Sequence, residues 1–281
     1  MARILGIDLG SYSLKAVLIE TTLRGYGVKE AIEVPIPREG DRLSQLQAGL
    51  GKLPESALAD GHGLHADTVV VALPGANIAT HSITLPFSDL KKIESTLPFE
   101  LESQLPCDLD EVIFDSQMAA STESSTQMLV GVARKAEVGP LLAMLKEAKL
   151  DPRIVTHPAL VYQNIFTQLD TTDDDSGAVM LLDIGHERVT VTVGQPGGPI
   201  EAARIFSGGG LHLNASLAKA FSIGLNEAET WKETKGALGR DFSNDAEAQQ
   251  GAVALANGLS SILRELRPTL KAYTARSHRP V

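Results

Sequence analysis

Residues 4–17 read Ile-Leu-Gly-Ile-Asp-Leu-Gly-Ser-Tyr-Ser-Leu-Lys-Ala-Val, and residues 179–192 read Val-Met-Leu-Leu-Asp-Ile-Gly-His-Glu-Arg-Val-Thr-Val-Thr. Each stretch is an apolar strand that ends in Asp-x-Gly, followed by a polar turn and a second β-rich strand. The pattern predicts two β-hairpins, because glycine permits the tight turn and lets backbone N–H groups approach an anion. The copies lie 175 residues apart, at Asp8 and Asp183. We therefore expect two similar lobes whose hairpins face one nucleotide cleft.

The composition supports two apolar cores and excludes several classes of function. The 281 residues are 43% hydrophobic and carry 25 basic against 35 acidic side chains, for a net charge of −10. This balance argues against nucleic-acid binding, which needs clustered Lys and Arg, and it suits docking on a basic partner surface. The single cysteine, Cys107, excludes an internal disulfide and a cysteine-based zinc site. No apolar run reaches the roughly 20 residues that a bilayer span requires.

Secondary-structure signals divide the chain into three parts. We expect a first lobe in residues 1–75 plus 151–172. An inserted small subdomain is expected in residues 76–150, and a second lobe in residues 177–281. The insertion shows the order β-α-β-β-α, with a helix from Ser88 to Leu105 that Ser88 caps and Pro98 kinks or interrupts. The acidic stretch 170–177 is the expected break between the lobes, since blocks of like charge are usually solvated linkers.

The two hairpins supply the candidate nucleotide site. Asp8 and Asp183 are expected to hold Mg²⁺ through water, because this ion keeps several waters and takes few carboxylates. The other candidates are turn glycines, hydroxyl donors and one cation: Gly10, Gly185, Ser11, Ser13 and Lys15. The alternative for each turn is a simple hairpin in which Asp and Gly only form the turn.

Two further segments are candidates for nucleotide contacts. The run from Ser207 to Gly210 precedes a predicted helix, so Gly208 and Gly209 form either an anion-binding nest or a flexible connection. Glu229 and Lys232, on a helix expected over residues 226–236, contact ribose or adenine or form only a surface ion pair.

The chain resembles the actin-like ATPase superfamily, and within it the PilM/FtsA group and the cytoplasmic domain of GspL. The resemblance rests on the two hairpins, the triple glycine and the stretches 70–75, 97–106, 108–112 and 217–232. It implies an α/β, ribonuclease H-like fold of two lobes, with the β-α-β-β-α subdomain inserted in the first lobe. It also implies ATP with Mg²⁺ as the cofactor, held weakly.

Two departures from the ATPase pattern favour a scaffold without chemistry of its own. His157 stands where the family usually carries an acidic residue that orients the attacking water. Such a histidine accepts a proton or, more often, is structural. His186, Glu187 and Arg188 replace the small residues usual in the second hairpin, where bulky side chains crowd phosphates. Any ATPase activity is therefore expected to be weak.

The resemblance implies a type II secretion platform protein of the GspL type at the cytoplasmic face of the bacterial inner membrane. Its expected partners are a GspE-like secretion ATPase and other platform subunits, with a homodimer as an open alternative. The membrane is reached only through segments outside this chain. The alternative function is that of a PilM-like, ATP-binding protein of type IV pilus assembly with slow ATPase activity.

Two features bear on these partners and on the nucleotide. The second lobe is expected to be incomplete at Val281, which weakens adenosine binding. Leu97, Pro98, Phe99 and Leu101 form an apolar cluster that belongs either to a contact surface or to the core of the inserted subdomain.

Overall fold

The computed structural model describes residues 2–56, 66–169, 177–239 and 245–277. In these ranges the strands are β1 (Arg3–Leu9), β2 (Ser13–Thr22), β3 (Gly25–Pro35), β4 (Thr68–Ala72), β5 (Ile78–Leu85), β6 (Val112–Ser121), β7 (Thr126–Arg134), β8 (Pro152–Thr156), β9 (Val179–Ile184), β10 (Arg188–Gly194) and β11 (Ile200–Ser207). The helices are α1 (Arg42–Ser56), α2 (Leu90–Glu102), α3 (Lys135–Glu147), α4 (Pro158–Val161), α5 (Gln163–Phe166), α6 (Gly210–Phe221), α7 (Leu225–Lys235) and α8 (Ala246–Ser277). None of the helices in the described ranges is long and apolar enough to cross a membrane. Of the predicted break at 170–177, only the last residue is described.

The first lobe is built on a five-stranded sheet in the order β3-β2-β1-β4-β8. Strands β1 to β3 form an antiparallel meander, and β4 and β8 continue the sheet in parallel with β1. The apolar residues of β1 alternate along the strand, so they lie on one face of the sheet. Helix α1 covers and buries that face with leucines at helical spacing. The buried residues are Leu5, Ile7 and Leu9 on the strand and Leu46, Leu50 and Leu53 on the helix.

The inserted part forms a three-stranded antiparallel sheet in the order β5-β7-β6, with α2 packed against it. Asp89, rather than the predicted Ser88, caps α2, because its carboxylate accepts a hydrogen bond of 2.9 Å from the backbone N–H of Lys92. Pro98 was predicted to kink or interrupt the helix; an interruption is excluded, since the helix runs through this residue. Leu97 and Leu101 are buried on either side of Pro98 and hold both halves of the helix on the same sheet, whereas Phe99 is 72% exposed.

The helix that closes the inserted run packs with the first lobe. Four apolar side chains of α3 belong to the cluster that contains the buried residues of β1, β2 and α1: Val138, Leu141, Met144 and Leu145. We therefore propose that the inserted subdomain comprises residues 76–134. Helix α3 then joins residues 1–75 and 151–172 in the first lobe, and residues 177–281 form the second.

The second lobe repeats the meander of the first in a sheet ordered β11-β10-β9. One face of this sheet is covered by α8, whose Ile262, Leu266 and Tyr273 pack against β10. Helix α8 also approaches α7 so closely that a side chain at Gly251 would overlap the ring of Trp231. Helices α6, α7 and α8 thereby form a second apolar cluster beside the sheet.

The inserted subdomain is also bonded to the second lobe. The Thr80 hydroxyl donates to the carbonyl of Ala203 at 2.8 Å, and the Gln127 amide donates to the carbonyl of Glu201 at 2.9 Å. A small apolar cluster, shared by the subdomain, α5 and β11, lies beside these bonds and contains Ala119, Leu129, Phe166 and Ile200. The subdomain therefore contacts both lobes.

Candidate functional site

The two hairpins have the same register. Asp8 pairs with Lys15 across the first hairpin, and Asp183 pairs with Thr190 across the second, so each aspartate lies seven positions before its partner. The two turns have equal length. Each aspartate is the second-to-last residue of its strand, so the two occupy equivalent positions. The sequence likeness of the two segments therefore corresponds to a likeness in backbone geometry.

Both turns line one cleft of about 510 Å³ between the lobes. Its volume lies in the range of about 300–1,000 Å³ typical of ligand pockets. Seven of the predicted site residues line it: Asp8, Gly10, Ser11, Ser13, Lys15, Asp183 and Gly185. The structure thus brings the two hairpins together as the sequence predicts, and their role in binding nucleotide stays a prediction.

Burial is the main influence on the carboxyl group of Asp8. Burial raises the pKa of its carboxyl; Lys15 lowers it, the charge of Asp183 raises it and Arg42 lowers it, and the net pKa is above its ordinary value. A desolvated carboxylate that faces a second carboxylate is an arrangement that a divalent cation stabilises. In the part of the chain that the structure describes, no group of three or more acidic, His or Cys side chains could hold a metal. A cation here would thus take its remaining ligands from water or phosphate.

Asp183 accepts a hydrogen bond from a tyrosine outside the two hairpins. The phenol of Tyr162, between α4 and α5, donates a hydrogen bond of 2.6 Å to Asp183 Oδ2. Burial raises the pKa of Tyr162, and the bond to Asp183 raises it further, so the phenol stays protonated. This bond orients the carboxylate that the second hairpin presents to the cleft.

Arg42, the first residue of α1, supports the first turn and was not among the predicted site residues. Its Nη2 donates to the carbonyl oxygens of Gly10 at 2.6 Å and Leu9 at 3.3 Å. Its Nη1 is buried without a hydrogen-bond partner among the described residues. Burial lowers the pKa of Arg42, although Glu187 and Asp8 raise it. The sequence gives no motif for this residue, because its contact depends on how α1 returns to the hairpin.

Ser13 lines the cleft but is engaged within the sheet. Its hydroxyl donates to Glu33 Oε1 at 2.5 Å, and the residue is 1% exposed. The turn itself needs glycine, since a Cβ atom at Gly10 would lie 2.5 Å from the Ser13 carbonyl oxygen. Of the two predicted serines, Ser11, in the turn, remains as a hydroxyl donor for a ligand.

The triple-glycine segment braces the second hairpin. The N–H groups of Gly208, Gly210 and Leu211 donate to the carbonyls of Glu187, Gly185 and His186, at 3.0, 2.9 and 2.8 Å. A nest needs such N–H groups free for an anion. The structure therefore assigns the segment around Gly208 and Gly209 a role in fixing the turn, which differs from both sequence interpretations.

Glu229 and Lys232 form an ion pair of 2.9 Å on α7. Burial raises the pKa of Glu229, but hydrogen bonds from Lys232 and Asn214 outweigh it and leave the pKa below its ordinary value. Glu229 and the buried Asn214 line a second cavity, of about 230 Å³, next to the cleft. The ion pair that was the alternative to a ribose or adenine contact is present, and the Glu229 carboxylate in it lies beside a cavity.

His157 lies outside the cleft. It caps α4, where its Nδ1 accepts a hydrogen bond of 3.0 Å from the N–H of Ala159, and it is 2% exposed. Burial lowers its pKa to about 4. The structural interpretation of this histidine therefore holds, and the proton-acceptor interpretation does not fit its position.

Comparison with known proteins identifies the family. The family model described as type IV pilus assembly protein PilM matches residues 6–249. A solved PilM-PilN type IV pilus biogenesis complex has 22% sequence identity and a TM-score of 0.76, over 97% of this chain and 77% of that one. No curated protein sequence matches the chain.

Two other solved structures are more distant. The cytoplasmic domain of EpsL, an inner membrane component of the Vibrio cholerae type II secretion system, has 14% identity and a TM-score of 0.46, over 79% of this chain and 74% of that one. The ethanolamine utilization protein EutJ from Carboxydothermus hydrogenoformans has 16% identity and a TM-score of 0.47, over 94% of this chain and 71% of that one.

The predicted fold class is confirmed. The chain has an α/β, actin-like fold of two lobes, with the run β5-α2-β6-β7-α3 inserted in chain order between strands β4 and β8 of the first-lobe sheet. The family model spans both hairpins, the triple glycine and the helix that carries Glu229. The chain belongs to the family of the type IV pilus assembly protein PilM.

Proposed function

We propose that this chain is a scaffold of type IV pilus assembly, placed at the cytoplasmic face of the bacterial inner membrane, where it binds a membrane-platform partner. Family membership supports the pilus system, the alternative to type II secretion that the sequence resemblance leaves open. The PilM-PilN relative is itself a complex, which supports a protein partner. Recruitment of a GspE-like ATPase and a homodimer stay predictions.

The observation that carries this proposal is an apolar groove between two open sheet edges, which we call the β6–β8 groove. Strand β6 is an edge of the inserted sheet, and β8 is an edge of the first-lobe sheet. The groove has a volume of about 200 Å³, and its apolar lining consists of Leu73, Ile78, Ile113, Phe114, Val132, Ala133, Val138, Leu142, Val155 and Leu160.

The groove suits an extended peptide with apolar side chains. Open strand edges offer unpaired N–H and C=O groups to which such a peptide adds as a further strand. Ile113 and Val155, one on each wall, are 50% and 38% exposed. Asp115 adds negative charge at the groove. Cytoplasmic segments next to membrane spans are rich in Lys and Arg, so the acidic chain complements the tail of a membrane partner.

Peptide binding tests this proposal. The probe is a fluorescent peptide with the sequence of the cytoplasmic tail of the PilN-type protein from the same bacterium. We expect Ile113→Glu and Val155→Glu to weaken binding at least tenfold, because each buries a charge beside an apolar ligand. The matched control is Val253→Glu, at a 56% exposed position on α8, which should bind as the wild type does. Groove variants that bind like the control would overturn the proposal.

We further propose that the cleft between the hairpins binds a Mg-nucleotide weakly. The buried carboxylate of Asp8 and its partner Asp183 across the cleft fit a hydrated Mg²⁺. Lys15 and the Ser11 hydroxyl lie in the same cleft, as a cation and a donor for phosphate. When bound, Mg²⁺ would neutralise phosphate charge beside the two carboxylates.

Titration with a fluorescent ATP analogue and Mg²⁺ tests this second proposal. Binding should be saturable, dependent on Mg²⁺ and lost in Asp8→Ala. The control is Asp115→Ala, at an acidic residue outside the cleft. Binding that is the same in Asp8→Ala and wild type would place the ligand elsewhere.

A further inference from the structure

We propose that Tyr12, Arg38 and His186 form a gate across the cleft, and that this gate opens before a nucleotide occupies the site. The inference rests on the nucleotide cleft proposed above and adds the residues that control entry to it. The three side chains come from separate segments: the first hairpin turn, the connection between β3 and α1, and the second hairpin turn.

The three side chains contact one another directly. The rings of Tyr12 and His186 meet edge to face, with centroids 5.1 Å apart. The Arg38 guanidinium lies 4.0 Å from the centroid of the Tyr12 ring, and its Nη1 is 3.4 Å from His186 Nε2. Aromatic pairs and cation–π contacts of this geometry are attractive. The contacts therefore join the first hairpin turn and the β3–α1 connection to the second hairpin turn.

The gate separates two cavities that a nucleotide would have to share. The inner cavity of about 510 Å³ contains Asp8 and Asp183, and the outer cavity of about 230 Å³ contains Asn214 and Glu229. His186 lines both cavities and thus forms part of the wall between them. A ligand with phosphates at the aspartates and a nucleoside at Glu229 has to displace this wall.

The charges around His186 are consistent with a closed gate at neutral pH. Burial lowers the pKa of His186, and Arg38 lowers it further. Glu229 and Glu187 raise it and Lys232 lowers it, and the net pKa is below the ordinary value. A neutral ring can accept a hydrogen bond from Arg38 through Nε2.

Two variants test the gate with the fluorescent ATP analogue and Mg²⁺. His186→Ser removes one ring and should tighten binding about tenfold, the size expected from the lost ring and cation contacts. Arg38→Ala, at an exposed residue, should also tighten binding if Arg38 holds the gate shut. If Arg38 instead binds phosphate, its removal weakens binding and the inference is wrong. The matched control is His81→Ser, on β5 and outside both cavities, which should bind as the wild type does.

A second readout separates this inference from the proposed function. Amide hydrogen exchange of the ligand-free protein should show faster exchange at both hairpin turns in His186→Ser than in His81→Ser, because the lobes lose their contact there. Unchanged exchange together with unchanged affinity would overturn the gate while wild-type binding still supports the nucleotide cleft. No binding by any variant at millimolar ligand, together with faster exchange, would overturn the nucleotide cleft and the gate's role in it.

Discussion

Tyr162 and Asp183 are joined by a hydrogen bond of 2.6 Å, from the phenol to carboxylate Oδ2. The tyrosine lies after α4, in the part of the chain assigned to the first lobe, and the aspartate lies in β9 of the second. The bond fixes one oxygen of a cleft carboxylate. It also ties the segment between α4 and α5 to strand β9.

Replacing Tyr162 by Phe should lower the free energy of unfolding by about 2 kcal/mol, because a hydrogen bond to a charged group contributes about 1.5–3 kcal/mol. Urea denaturation measures the change. The matched control is Tyr26→Phe, at a position that is 66% exposed and should leave the free energy within about 0.5 kcal/mol of wild type. Equal stability of the two variants would show that the bond from the Tyr162 phenol does not stabilise the fold.

Asp8→Asn should raise stability at pH 7 while removing the Mg-nucleotide interaction. The folded-state pKa of Asp8 lies above its ordinary value because the group is buried. Its contribution to stability is therefore present below the unfolded pKa and is lost as pH rises through the folded pKa. The side-chain amide of asparagine does not ionise, so the variant does not lose this contribution as pH rises.

Urea midpoints of wild type and Asp8→Asn as a function of pH test this prediction. The variant should have the higher midpoint at pH 7, and the difference should shrink toward pH 4. A lower midpoint for the variant at pH 7 would mean that the ionised carboxylate stabilises the fold without any ligand.

Gly209→Ala should destabilise the second lobe by about 3 kcal/mol. Gly209 has a φ of +100°, and a Cβ atom there would overlap the carbonyl oxygen of Gly185 in the hairpin turn. Thermal or urea unfolding measures the loss. The control is Gly139→Ala in α3, where a Cβ atom meets nothing within 4 Å and the better helix propensity should add about 0.5–1 kcal/mol.

His157→Asn should flatten the dependence of stability on acid pH. The pKa of His157 falls from about 6.5 to about 4 on folding because the ring is buried. Between these two pKa values, His157 is protonated in the unfolded chain and neutral in the folded protein. The contribution of this histidine is complete above pH 6.5 and is lost as pH falls toward 4, by on the order of 3 kcal/mol.

Asparagine at position 157 can still cap α4 through its side-chain oxygen but does not titrate. The free energy of unfolding of the variant, followed from pH 7 to pH 4, should therefore decline less than that of the wild type. His81→Asn serves as the control and should keep the wild-type slope. A variant with that same slope would show that another group causes the acid sensitivity.

Local patterns predicted the hairpins well, because alternation, Asp-x-Gly and turn length act within about twenty residues. The cap of α2 was missed by one position, since Ser88 and Asp89 are both good capping residues and only the hydrogen bond to Lys92 distinguishes them. The insertion's last helix was assigned to the subdomain by order along the chain, whereas its packing with α1 depends on contacts about a hundred residues apart.

The site shows the same division between local and distant causes. Asp8 and Asp183 were recognisable because each stands in a repeated motif. Arg42 and the bond of Ser13 to Glu33 were not, since each partner is 20 or more residues away and no motif marks it. The use of the glycine N–H groups by the second turn likewise becomes visible only when both segments are placed in space.

The bonds between the inserted subdomain and the second lobe affect how the molecule deforms. Arg276 at the end of α8 donates to the Ser82 hydroxyl of β5 at 2.9 Å, next to the Gln127 bond. One wall of the β6–β8 groove belongs to this subdomain and the other to the first lobe. We therefore expect a rotation of the second lobe to move the subdomain with it and to change the width of the groove. Under the functions proposed above, a cleft ligand that spreads the lobes and a peptide in the groove would then alter each other's affinity reciprocally.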